Sequence, residues 1–267
     1  MLGVIKHHLK IFIKFIQFSF IQHFAFRFNF YGYLIDIGWL LFSIAFIKIF
    51  YLNVPEIVGW NYWEMLVLLG VFWIFQALIY GLVVIGNCRK IPQLVWTGEL
   101  DGILLKPINS QFNVSLRIIW TPIFLNIIPA IWFIYLGFSG LKQPADLINV
   151  FCFILMSVFG FLIAYGLWFI ITIFVFFLER ADNLPYLPQA VIDNVSQYPI
   201  DIFKGKTKFI FIWFIPLAFV VSFPTQVLLG QLSKIYVIYA GWLAIIILYL
   251  SSLFWNFALK HYSSASS

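Results

Sequence analysis

From Leu147 to Leu178 the chain runs 32 residues without one charged side chain. Five other stretches are nearly as apolar, at about 30–51, 63–85, 118–138, 209–229 and 235–259. A hydrocarbon core about 30 Å thick needs roughly 20 apolar residues per helix. Inside lipid the backbone must satisfy its own hydrogen bonds, so such stretches predict transmembrane α-helices. Composition agrees: 10% of residues are charged and 63% hydrophobic, against roughly 25% charged in an ordinary soluble domain. A chain so short of polar surface is expected to be an all-α polytopic membrane protein. Six transmembrane helices are predicted in one transmembrane domain, 1–267, with an interfacial helix at 1–28. The 147–178 stretch is long for one upright helix and short for two with a turn. It is read as a single helix, tilted or kinked at Gly160 or Gly166.

Charge sets an expected orientation. With the N-terminus in the cytosol, thirteen of the sixteen basic residues fall inside, among them Arg89, Lys90, Lys106, Arg117, Arg180, Lys204, Lys206 and Lys208. Lys48, Lys142 and Lys234 fall outside, so the positive-inside rule favours both termini in the cytosol. The net charge of +6 is spread over the ends of the apolar stretches, which argues against a nucleic-acid partner. At the N-terminus His7, Lys10, Lys14 and Gln17 recur on one narrow helical face, with Phe12, Ile16 and Phe20 on the rest. That pattern suits an amphipathic helix lying in the lipid interface. Lys10 and Lys14 also interrupt any signal-peptide core. The Ser/Ala tail after Tyr262 is expected to be disordered.

Little in the chain suggests catalysis. Gly205-Lys206-Thr207 lacks the earlier glycine of a phosphate-binding loop, where Ile200 stands. Glu99 and Asp101 sit beside Gly98 and Gly102 and read as solvated or ion-paired loop acids. The histidines, His7, His8, His23 and His261, lie near the chain ends without metal-ligand spacing. Cys88 and Cys152 are placed too differently to pair and read as inert thiols. No catalytic, cofactor-binding or metal-binding residues are therefore assigned. Asp36 is an ionisable group within the first span and is a candidate for gating or for lining a pathway. Its place less than two turns from the span's start, near Tyr31 and Tyr33, also fits a group that reaches interfacial water or pairs with a basic residue. Gln76 and Asn126 read as hydrogen-bonding glue between helices. Pro122, Pro129, Pro216 and Pro224 mark helix breaks or kinks tolerated inside a bundle.

The polar island Cys88–Arg117, CRKIPQLVWTGELDGILLKPINSQFNVSLR, stands between the second and third spans. Arg89–Thr97 has the pattern of a short amphipathic helix. Ile91, Leu94 and Val95 form an apolar patch, and Arg89, Lys90 and Gln93 lie nearby. Pro92 suits a first helical turn, Gly98 a helix end, and Pro107 the end of the next apolar stretch. A short helix held between two spans would pass the movement of a bound partner to both; the same pattern equally fits a membrane-surface helix with no partner.

Within the island, TGELDGILLKPINSQF resembles the cytosolic motif of the ABC-2 type permeases, the six-span membrane subunits of ABC exporters. There a basic stretch runs into Gly-Glu-Leu-Asp and then Leu-Leu-Lys/Arg-Pro. VGWNYWEMLVLLGVF is similar to that family's entry into its second span. QYPIDIF followed by FIPLAFVVSFPTQVLLG resembles its Tyr-Pro-Leu segment and fifth span. FRFNFYG resembles its Tyr-Arg-Ala-Asn-Phe entry, with Phe26 and Phe28 replacing the tyrosine and alanine. The ordered set covers nearly the whole chain.

The resemblance implies a permease subunit forming half of a translocation pathway in a bacterial cytoplasmic (inner) membrane. It would work with cytosolic ABC ATPase subunits and a second permease copy or related permease. ATP and Mg would bind in the partner ATPase, with no cofactor in this chain. Arg89, Lys90, Ile91, Pro92, Gln93, Leu94, Val95, Trp96 and Thr97 would form the ATPase-coupling helix, supported by Gly98, Glu99 and Asp101. The rival expectations are an ion-coupled secondary transporter or channel, for which Asp36 is the one intramembrane charge on offer, and a membrane-embedded enzyme, which would need paired acids or a His/Glu cluster at depth.

Overall fold

The computed structural model describes residues 10–19, 21, 29–142, 146–178 and 182–262, almost all of them helical or in turns between helices. Helix α1 is Asn29–Asn53. A two-stranded hairpin follows, β1 (Glu56–Ile57) and β2 (Trp60–Asn61), turning at Val58 and Gly59. Asn61 then caps α2 (Tyr62–Ile79), its side chain accepting from the Trp63 and Glu64 amides while Glu64 reaches back to the Asn61 amide. This reciprocal cap fixes where the helix begins. A wider helical turn, Tyr80–Val84, extends α2 to the polar island.

The island folds into three short helices, α3 (Ile91–Thr97), α4 (Glu99–Leu104) and α5 (Ser110–Leu116). Helix α6 (Ile127–Leu141) returns antiparallel along α2 after a tight turn at Thr121–Asn126. Helix α7 is Leu147–Ile173 and α11 is Ile235–His261, and these two pack along each other. Between them lie α8 (Leu187–Ser196), α9 (Gly205–Phe209) and α10 (Ser222–Leu228). Among the described residues four helical stretches are long and apolar enough to cross a membrane: Tyr62–Thr97, Thr121–Leu141, Leu147–Phe176 and Ile235–His261. Gly38–Asn53 in α1 is a shorter apolar stretch.

The 147–178 stretch forms the single helix expected of it, α7, which runs through Gly160 and Gly166. Both glycines are contact points: a Cβ at Gly160 would collide with the Phe219 carbonyl oxygen, and one at Gly166 with the Ile247 side chain. Small residues there let neighbouring chain approach closely. The 209–229 stretch is not one helix, which corrects the expectation of a span there. Helical turns through Phe214 end at Ile215–Pro216, Leu217–Phe219 forms a separate tight turn, and α10 begins at Ser222.

The segment before that stretch takes an unexpected course. Gln189 is bonded to Arg89, just beyond the far end of α2. Asp193 accepts from Gln76 and Tyr80, in its last turns. Asp201 accepts from Trp60, just before its start. Residues 184–202 therefore run antiparallel to α2 over nearly its whole length. Residues 205–228 then form a hairpin that enters and leaves at the Trp60 end. Lys208 on one arm and Gln226 on the other both bond Asp201, at 2.8 and 2.7 Å. Its turn meets Gly160, midway along α7. Residues 216–228 are buried throughout, which is the condition for irregular backbone at membrane depth.

It follows that Lys204, Lys206 and Lys208 lie at the Trp60 end, opposite Arg89. The expectation that they share a side with Arg89 and Lys90 is overturned. Pro185, Pro188, Gln189, Asp193, Asn194, Ser196, Gln197 and Pro199 keep the hydropathy of residues 184–202 low, so hydropathy marks no span there. The segment's polar groups are partly satisfied by α2 rather than by water.

Candidate docking surface and its anchoring

The island is clamped at its base. Buried Asn87 donates to the carbonyls of Leu82 (3.0 Å) and Ile118 (2.7 Å) and accepts from the Ile118 amide at 3.0 Å. The Trp120 amide donates to the Gly81 carbonyl at 2.7 Å. These bonds hold the entry and exit of the 88–117 loop together. Helix α5 anchors its far part. Trp255 Nε1 donates to the Ser110 hydroxyl, Gln111 donates to Tyr165 and Ser251, and Ser115 bonds Tyr165. The island is thus fixed to α7 and α11 as well as to α2.

Within it, a tight turn at Cys88–Lys90 leads into α3, with Pro92 in the first turn as expected. Gly98, at φ +74°, ends α3 and starts α4, a left-handed conformation that favours glycine. The apolar patch faces inward: Ile91, Pro92, Leu94, Leu100 and Ile103 are buried and Val95 is half-buried. Outward stand Lys90, Gln93, Trp96, Thr97 and Glu99, continued by Gly102, Leu105, Lys106 and Pro107. Leu105 is 86% exposed and Trp96 36%. Gly98 and Asp101 are half-buried between the faces.

Arg89 departs from the coupling set in direction. Its guanidinium donates to Gln189 Oε1 and lies over the Tyr186 ring at 4.8 Å and the Tyr80 ring at 5.8 Å. The expected inter-helix role of Gln76 is present, though its partner is Asp193, at 3.3 Å. Asn126 is buried with its Oδ1 lacking a bond. Cys88 is buried and Cys152 half-buried, and both are free thiols. The Asp36 side chain lies outside the described residues, although its backbone is part of α1. At the N-terminus residues 10–19 are helical with Lys10, Lys14 and Gln17 exposed and Phe12 and Ile16 half-buried. The Ser19 hydroxyl accepts from the Ile119 amide at 3.1 Å, joining this helix to the island's exit. The rest of the 1–28 interfacial helix, His7, His8 and His23, Arg180 and the tail after Tyr262 lie outside the described residues.

Asn87, Tyr186, Gln189 and Asp193 were not singled out from the sequence. Asn87 carries a signal in retrospect, as a lone amide ending the 63–86 apolar run. The other three sit in a segment that reads as loop.

These features define a helical membrane protein that presents a rigid, mixed polar and apolar surface at one end. Residues 37–266 match the family model described as ABC-2 family transporter protein, and the chain belongs to that family of ABC transporter membrane components. Comparison with curated proteins and with solved structures finds no match.

Proposed function

We propose that this chain is the permease subunit of an ATP-driven exporter and that its exposed 90–107 surface receives a cytosolic ABC ATPase. The observation carrying this is the outward face of Lys90, Gln93, Trp96, Thr97, Glu99, Leu105 and Lys106, on a loop bonded to α2, α7 and α11. A tryptophan ringed by charged and polar groups is the make-up of an interface hot spot with a polar rim, and Leu105 adds exposed apolar area beside it. Ile91, Pro92, Leu94 and Val95 support that face from beneath. ATP and Mg belong to the partner, and the work of this chain is to convert movement at the loop into movement of its helices.

In this reading the Arg89 end is cytosolic, as are both chain termini, and the membrane is the bacterial inner membrane. Six crossings are made by α1, α2, α6, α7, the 184–202 segment and α11, in one transmembrane domain. The outer face of 184–202 exposes Tyr186, Leu187, Ala190, Val191, Asn194 and Tyr198, so Asn194 and the tyrosine hydroxyls stand among apolar side chains. Polar groups there are costly against lipid, so this face is assigned to a half-pathway closed by a second copy or a related permease. Asp36 remains the candidate for gating from the first crossing.

The test is association with the ATPase. Leu94 is buried, so replacing it reports packing rather than docking. Leu105→Asp changes a side chain that is almost fully exposed and is expected to leave the fold's melting temperature unchanged, whereas Trp96→Ala removes a partly packed ring and should lower it modestly. They should weaken ATPase co-purification by about tenfold or more, since a hot-spot loss is about 2 kcal/mol. Full retention of the ATPase by the double variant would contradict the docking assignment.

A further inference from the structure

We infer that Arg89 is the link through which the docking surface moves the 184–202 crossing, acting with Tyr80, Gln189 and Asp193 as a polar joint inside the protein. The inference rests on the docking role proposed for residues 90–107, and it assigns Arg89 a positioning role in place of a docking one.

Arg89 is two residues before α3, on the turn that leads into the docking surface. Its guanidinium nevertheless turns inward to Gln189, with Tyr186 and Tyr80 against its faces. One helical turn after Gln189, Asp193 accepts from the Tyr80 hydroxyl at 2.8 Å and from Gln76 at 3.3 Å. The joint thus takes members from three elements: the last turns of α2, the turn before α3, and α8. Helix α3 itself packs on the Phe174–Phe176 turn, while the Cys88–Lys90 turn packs on Leu184–Tyr186. The direct route from docking surface to the 184–202 crossing therefore passes through the turn that carries Arg89.

The chemistry suits a mechanical link. Arg89, Gln189 and Asp193 are half-buried, and hydrogen bonds to charged groups are about twice as strong as those between neutral ones, so the members move together. Arginine also supplies what lysine lacks, a planar fork that donates at its edge while its faces lie on aromatic rings. Arg89 Nε is buried without a bond in this arrangement, leaving a donor for a second arrangement of the joint.

The experiment uses the full permease–ATPase complex in lipid nanodiscs, with Cys152→Ser to leave buried Cys88 as the native thiol. An environment-sensitive fluorophore is attached at Gln93→Cys on the docking surface or at Asn194→Cys on α8, both exposed positions. A non-hydrolysable ATP analogue with Mg is then added. Both positions should respond in the otherwise native chain. In Arg89→Lys and in Asp193→Asn, position 93 should still respond while the response at 194 falls roughly fivefold or more, the size of an ordinary coupling free energy. Asp193→Asn preserves shape, so it decides the matter even if Arg89→Lys folds poorly. An undiminished response at 194 in either folded variant overturns the joint. A native complex with no response at position 93 contradicts the docking role itself, and the joint with it.

Discussion

Asn87 has three backbone partners at the base of the docking loop, and Asp201 has three side-chain partners at the opposite end of the molecule. Substitutions in these two clusters should differ in cost according to how far water can reach the group removed. Asn87→Ala would leave two carbonyls and an amide without that partner in a buried place, lowering unfolding free energy by about 2 kcal/mol or more. Asn87→Asp should be no better, because it sets a carboxylate against the Leu82 and Ile118 carbonyls. Denaturant unfolding in micelles checks both. Lys208→Ala, which removes one of the three partners of Asp201, should cost only about 1 kcal/mol or less, because the Lys208 side chain is 37% exposed and Asp201 keeps its bonds to Trp60 and Gln226. A cost at Lys208 equal to that at Asn87 would contradict this ranking.

At the scale of elements, uninterrupted apolar length was the reliable signal. Helices α2, α6, α7 and α11 stand close to where hydropathy predicts them, as does the end of α3 at Gly98. Helix α3 is legible in the sequence as amphipathic, but the direction of its apolar face is not. Ile91 and Leu94 are the apolar stripe of a surface helix whether they cover a partner or their own core, and tertiary packing alone decides that. The 184–202 segment and the 205–228 hairpin were illegible because they exchange the expected signals. A polar segment lies along α2 with Asp193 and Asp201 bonded, while an apolar stretch doubles back at Ile215–Pro216. Gly160 is the element-scale test of that hairpin. Gly160→Val should destabilise by about 2 kcal/mol, the usual cost of overpacking, since the Phe219 backbone oxygen occupies the needed space. The same substitution at Gly38, where nothing lies within 4 Å, should be nearly neutral in thermal melts.

For the molecule as a whole, the account has one structural core. The chain leaves the Arg89 end through residues 184–202 and turns back at the Trp60 end, with the docking surface on one side and the Lys204–Lys208 cluster on the other. The docking role, the half-pathway and the polar joint all depend on that course. It is tested most directly by labelling Gln93→Cys and Lys206→Cys, each in a Cys152→Ser background, with a membrane-impermeant thiol reagent in intact cells and in inverted membrane vesicles. The account predicts that position 206 labels in intact cells and position 93 in inverted vesicles. Labelling of both positions from the same side would contradict it.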